Sequence, residues 1–145
     1  MKVKRNEKKQ KYQTLCSIHR RIIMTKPKTR SRGELKIADI LRSNNIPFAE
    51  EYIFPDLVSS SGRPLRFDFA VFDDEGNVDF VIEFQGEQHY EAFNHYGGKR
   101  NLMRQKYNDN QKRIYCMRHG IPLVAVPYWD FVELDYDYLI ERAYG

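Results

Sequence analysis

Apolar and polar residues alternate most regularly between Leu65 and Gln85. Leu65, Phe67, Phe69 and Val71 interleave with Arg66, Asp68 and Ala70. Val78, Phe80, Ile82 and Phe84 interleave with Asp79, Val81, Glu83 and Gln85. A period of two predicts half-buried strands. Between them Asp73-Asp74-Glu75-Gly76-Asn77 reads as a turn, so the two strands form a hairpin. Pairing positions that sum to 151 sets Phe67 against Phe84, Phe69 against Ile82 and Val71 against Phe80, which makes one wholly apolar face. The same register sets Asp68 against Glu83 and Ala70 against Val81. A slip by one residue would put Asp68 against an apolar side chain and is disfavoured, whereas slips by two stay open.

Elsewhere the pattern is helical or broken. Ile37, Ile40 and Leu41 form a short helical stripe that ends near Asn44-Asn45, ahead of Pro47. Phe48 to Phe54 predicts a strand, followed by Pro55 and a Ser59-Ser60-Ser61-Gly62 loop. Gly97-Gly98 precedes a helix over about 99–118, stopped by Gly120 and Pro122, with Met103, Tyr107, Ile114 and Met117 as its apolar contacts. Leu123 to Val126 is a short strand closed by Pro127, and a last helix is expected from about Asp135 to Ala143. The order is αβββαβα. Because the fourth strand follows a long helix, it can lie parallel to its neighbour. These elements predict an α/β (α+β) domain over residues 31–145, with a mixed central sheet flanked by helices. Residues 1–30 form a separate arm, partly disordered or holding a short helix around Leu15, Ile18, Ile22 and Ile23.

Charge sharpens this division. Residues 1–33 carry 12 Lys/Arg and one acid, whereas residues 34–145 carry 12 Lys/Arg and 19 Asp/Glu. A basic arm is joined to an acidic body. The arm suggests a polyanionic partner, and Lys2, Lys4, Arg5, Lys8, Lys9, Lys11, Arg20, Arg21, Lys26, Lys28, Arg30 and Arg32 are the candidates to bind it. An acidic body suits such a partner only if some of its carboxylates are neutralised. No apolar run reaches the ~18 residues of a membrane span, and no signal-peptide core follows the basic start. The two cysteines, Cys16 and Cys116, make no disulfide framework, so a cytoplasmic, reducing setting and no membrane partner are expected. Cys16 with His19 and Cys116 with His119 have zinc-like spacing, but chance accounts for it better.

The hairpin supplies the first candidate chemistry. Directly opposed Cβ atoms lie ~4.5–5.5 Å apart, and like charges there repel. Two acids on a half-buried face therefore need a reason, and a hard divalent cation held by Asp68 and Glu83 is one. Gln85 points from the same face. An exposed acidic edge, or Arg66 as partner, is the plainer alternative. Asp109, Lys112 and Cys116 share a helix face, although Asp109 and Lys112 could be a mere surface ion pair. Glu34 fits a capping box begun by Ser31, yet it shares a face with Ile37, Ala38 and Leu41 and so points inward. His89 closely follows the strand that carries Glu83. Tyr128 and Trp129 could stack a base or simply pack.

Gly33-Glu34, Arg66-Phe67-Asp68-Phe69, Ile82-Glu83-Phe84-Gln85-Gly86-Glu87-Gln88-His89-Tyr90, Gly97-Gly98, Asn108-Asp109-Asn110-Gln111-Lys112 and Ile121 to Tyr128 occur in that order. Together they resemble the PD-(D/E)XK nuclease superfamily, and more closely its branch of very-short-patch repair and EDxHD homing endonucleases, often phage-encoded. The resemblance implies a restriction-endonuclease-like αβββαβ core. It also implies Mg2+- or Mn2+-dependent cleavage of DNA to 5′-phosphate ends, in a bacterial or phage-infected cell. It makes Glu34, Asp68, Glu83, Gln85, His89, Asp109 and Lys112 the catalytic set, with Asp68 and Glu83 as metal ligands. Gln85 stands where the superfamily usually has lysine, and Lys112 is the replacement from the helix. A Holliday-junction resolvase, another structure-specific nuclease or an inactive DNA-binding module shares these motifs, and a homodimer is left open.

Overall fold

The structure is a computed structural model that describes residues 30–87 and 98–145. Helix α1 (Arg32–Ser43) begins where Ser31 Oγ accepts the Glu34 N–H at 3.2 Å. It buries Ile37, Ala38 and Leu41, and ends at Asn44 before Asn45 takes a left-handed φ of 54°. Strands β1 (Phe48–Val58), β2 (Pro64–Phe72), β3 (Val78–Gln85) and β4 (Leu123–Pro127) form one sheet in the order β1-β2-β3-β4. The β1/β2 and β2/β3 pairs are antiparallel and β3/β4 is parallel. Helix α2 (Gly98–His119) makes the crossover that a parallel pair requires. It ends as the sequence predicts, with Gly120 at φ 65° and the Ile121 N–H reaching back to the Cys116 carbonyl at 2.9 Å. A 3-10 turn (Tyr128–Asp130) leads to α3 (Tyr136–Tyr144), capped by Asp135 on the Tyr138 N–H. The domain is mixed α+β, a four-stranded mixed sheet flanked by helices.

The sheet separates two cores. One holds Ile37, Ala38 and Leu41 of α1, Phe69, Val71, Phe80, Ile82, Val124 and Val126 of the sheet, and Leu139 of α3. The other holds Leu65, Phe67, Ala70, Phe72 and Val81 with Cys116 of α2. The hairpin turn is fixed as expected: Asp73 Oδ1 accepts the N–H groups of Glu75 and Asn77, both at 2.9 Å. Among the described residues no helix is long and apolar enough to cross a membrane.

Three expectations need correction. Strand β1 does not stop at Phe54 but continues past Pro55 to Val58, with an irregularity between Ile53 and Val58. A proline fits there because β1 is an edge strand. Met103, Tyr107 and Met117 are exposed rather than packed, and Cys116 is the fully buried residue of α2. Phe67 does not share a face with Phe69 and Val71. It lies in the α2-side core, while they lie in the α1-side core. The reason is local: Glu51 takes a left-handed φ of 51°, and the ladder skips from Glu50↔Phe69 to Tyr52↔Phe67. Both strands change faces at Glu51 and Asp68.

Candidate active site

The change of face sets the position of Asp68. The register that sums to 151 holds for Phe69↔Ile82, Ala70↔Val81 and Val71↔Phe80. Beyond Phe69 the paired ladder ends, so Asp68 is not a ladder partner of Glu83. Instead its Oδ2 accepts the Phe84 N–H at 2.8 Å. A side chain has taken the place of a backbone carbonyl, and the two strands part beside two carboxylates.

Glu83 lies on the α2 side of β3 and is buried. Lys112, on the inner face of α2, donates to Glu83 Oε1 at 2.5 Å. The Lys112 ammonium also lies 5.4 Å from the centroid of the Phe67 ring. It is held between a carboxylate and an aromatic face. Burial pushes the Glu83 carboxyl up to about 8, and the nearby Asp68 and Asp109 carboxylates add to the rise while Lys112 opposes it. Beneath the pair, burial and the Glu83 charge raise the Cys116 thiol to about 11, which keeps it protonated and unreactive near neutral pH.

An open cleft of about 270 Å³ gives access to this group. Glu83, Gln85, Asp109, Asn110, Lys112 and Arg113 supply its polar wall, and Leu123 and Ala125 supply the rest. The parallel register explains the opening, since Glu83 is paired with Ala125, whose methyl group fills little space. Four residues expected from the sequence, Glu83, Gln85, Asp109 and Lys112, thus meet in one cleft. Asp68 is near enough to act on the Glu83 charge. The Arg66 guanidinium lies 3.8 Å from a Glu51 carboxylate oxygen.

Glu34 is buried at the start of α1, one residue from a close contact. A Cβ on Gly33 would sit 2.3 Å from the Phe84 ring, so only glycine lets α1 approach this end of β3. Glu34 makes its capping contact through its backbone N–H and is not part of the cleft lining. His89 lies outside the described residues, as do Cys16, His19 and the arm candidates from Lys2 to Lys28. Arg30 is described and pairs with Glu50, and the Arg32 guanidinium lies 5.4 Å from the Phe131 ring centroid. Trp129 is exposed and meets Tyr128 edge to face.

Phe67, Asn110, Arg113, Leu123 and Ala125 were not singled out as site residues from the sequence. The alternation of β2 assigned Phe67 to the wrong face. The signal for Arg113 is its place four residues after Asp109, on the same helix face.

Among the described residues no three His, Cys, Asp or Glu side chains are arranged to hold a metal ion. The carboxylate pair Asp68 and Glu83 remains a fit for a hard cation. Such ions accept one or two protein carboxylates and keep water or phosphate oxygens as their other ligands. A buried carboxylate raised to about 8 is a group that a bound cation would return to its charged form.

Two viral proteins resemble the chain. It is 47% identical over 70 residues to "Uncharacterized protein 094L" of Frog virus 3 (isolate Goorha), across 47% of this chain and 43% of that protein. It is 43% identical over 105 residues to "Uncharacterized protein 033L" of Invertebrate iridescent virus 3, across 69% of this chain and 50% of that protein. The chain therefore spans about half the length of these curated relatives at most. No family model and no solved structure matches it.

Proposed function

We propose that the chain is a metal-dependent DNA endonuclease acting inside an infected cell. The observation that carries this reading is the Lys112–Glu83 pair, buried beside Asp68 and opening into a polar cleft. Structural ion pairs perturb carboxylates too, but they do not need a cleft lined by Gln85, Asp109 and Arg113. Asp68 and Glu83 would hold Mg2+ or Mn2+. When bound, that ion would polarise the scissile phosphate and help to activate water. Lys112 supplies a fixed positive charge at the phosphate, which serves the purpose of the lysine absent at position 85. Gln85 can orient water or a phosphate oxygen by hydrogen bonding but cannot carry a proton usefully at neutral pH. His89 is the proposed base or water-orienting group, with Asp109 orienting His89 or Lys112. The basic arm, Lys2 to Arg32, would hold the DNA backbone without reading its sequence. The viral relatives support the proposed setting.

Supercoiled and branched DNA incubated with the full chain in Mg2+ and in Mn2+ test the reading. Nicked or linear products that disappear in EDTA, and with Glu83→Gln, support it. Tight DNA binding with no cleavage in either metal would replace it with an inactive DNA-binding module. Cleavage confined to four-way junctions would make it a resolvase.

A further inference from the structure

Helix α2 has a charge opposite to that of the body it belongs to. Its 22 residues carry seven Lys/Arg and one acid, a net +6. Outside it, the body from residue 34 onward carries five Lys/Arg and 18 Asp/Glu, a net −13. The charge is also sorted by face. Lys112 and Cys116 face the sheet, while Lys99, Arg100, Met103, Arg104, Lys106, Tyr107, Asn110 and Arg113 are exposed. At 3.6 residues per turn, those eight cover an arc of roughly 180°. Near its middle are two large apolar side chains one turn apart, Met103 and Tyr107, which are 71% and 49% exposed. Neither is needed to hold the helix down, since the burial of α2 is supplied from Cys116.

We infer that the outer face of α2 is a second DNA-contact surface that leads the duplex into the cleft. This inference rests on the nuclease reading for its substrate. The cations meet phosphates, and Met103 and Tyr107 lie against sugar or base edges, where apolar and aromatic groups work beside positive charge. The direction follows from Arg113, which belongs both to this exposed face and to the cleft wall with Glu83 and Asp109. From Lys99 to Arg113 the helix rises roughly 21 Å, about six base pairs of duplex. An acidic protein, or the acidic body of a second copy, would satisfy the charges as well. Neither explains why the face runs into a cleft that carries carboxylates of its own.

The test measures binding of a labelled 20-base-pair DNA duplex in EDTA, over a salt series, to the full chain and to the triple variants Lys99→Glu/Arg104→Glu/Lys106→Glu and Lys99→Gln/Arg104→Gln/Lys106→Gln. Because the arm is intact in all three proteins, the difference reads α2 alone. The expected result is at least a tenfold loss of affinity with glutamate and a smaller loss with glutamine. The slope of log affinity against log salt should fall by about 2–3, near 0.9 for each lost phosphate contact. Thermal melting should be unchanged, because the three side chains are exposed. Unaltered affinity and slope in variants that melt like the wild type would overturn the inference. So would loss of self-association, seen by sedimentation, with DNA binding intact. Because EDTA removes cleavage from the measurement, a chain that binds through α2 but never cuts would refute the endonuclease and keep this surface. Variants that bind and cut like the wild type would do the reverse.

Discussion

Helices α1 and α2 flank the same strand, and they are built on opposite terms. Helix α1 has 12 residues and buries Gly33, Glu34, Ile37, Ala38 and Leu41, while α2 has 22 residues and buries Cys116 alone. On the α1 side, the faces of β3 and β4 meet α1 and α3 through Ile82, Val124, Val126, Leu41 and Leu139, an apolar core. On the α2 side, a comparable depth holds Glu83 against Lys112 and leaves a cleft. Both sides carry an apolar core, but only the α2 side also keeps a buried polar pair and an open cleft. This long polar helix is held by few contacts: Cys116 and Tyr115 in the second core, the Tyr115 hydroxyl on Asp56, and Lys112 on Glu83.

Four substitutions and one condition test that contrast. The largest effect is expected on the α2 side and in activity: Glu83→Gln or Asp68→Asn should lower cleavage by about 10³-fold or more. Folding of either variant should be intact, because Gln resembles the protonated acid and Asn Oδ1 can still accept the Phe84 N–H. Single-turnover assays with titrated metal would show it, and a wild-type rate in either variant would break the assignment. On the α1 side Leu41→Ala should cost about 2–5 kcal/mol of stability, read by urea unfolding, with the cleavage rate per folded molecule unchanged. Gly33→Ala joins the two sides. Its Cβ would strike the Phe84 ring, so the α1 end or β3 must shift, at about 1–3 kcal/mol. Unlike Leu41→Ala, it should also reduce activity, because Phe84 carries the N–H that fixes Asp68.

The last test separates the sides by pH. The Glu83 carboxyl is raised from 4.5 to about 8, so the folded chain keeps a proton that the unfolded chain releases. This group's contribution to stability is therefore complete below about 4.5, declines as pH rises, and is gone above about 8. Thermal melting across that window should show the decline in wild type, a flatter curve in Glu83→Gln, and partial relief of the decline by Mg2+. Metal affinity should strengthen as pH approaches 8, with release of a proton on binding. Equal slopes for wild type and Glu83→Gln would show that Glu83 is charged throughout.

Much of this arrangement was legible in the chain, and the illegible part has identifiable physical causes. The alternation from Leu65 to Gln85, with the Asp73–Asn77 turn, determined the hairpin and excluded a one-residue slip, which would set Asp68 against an apolar side chain; the register with positions summing to 151 then holds from Phe69 to Val71. Ser31, Gly120 and Asp135 marked helix ends through local hydrogen bonding and backbone geometry that depend on a few adjacent residues. The resemblance carried by Asn108 to Lys112 named Asp109 and Lys112 for the site, but helical spacing could not tell a surface ion pair from a reach to β3. Only the tertiary structure gave Lys112 to Glu83, since that choice depends on how α2 crosses the sheet. The switch of faces at Glu51 and Asp68 was equally hidden. A left-handed glutamate has no sequence signature, because a positive φ is uncommon for any residue but glycine, asparagine and aspartate. That switch set Phe67 against Lys112 and made Asp68 an acceptor for the Phe84 N–H rather than a ladder partner of Glu83.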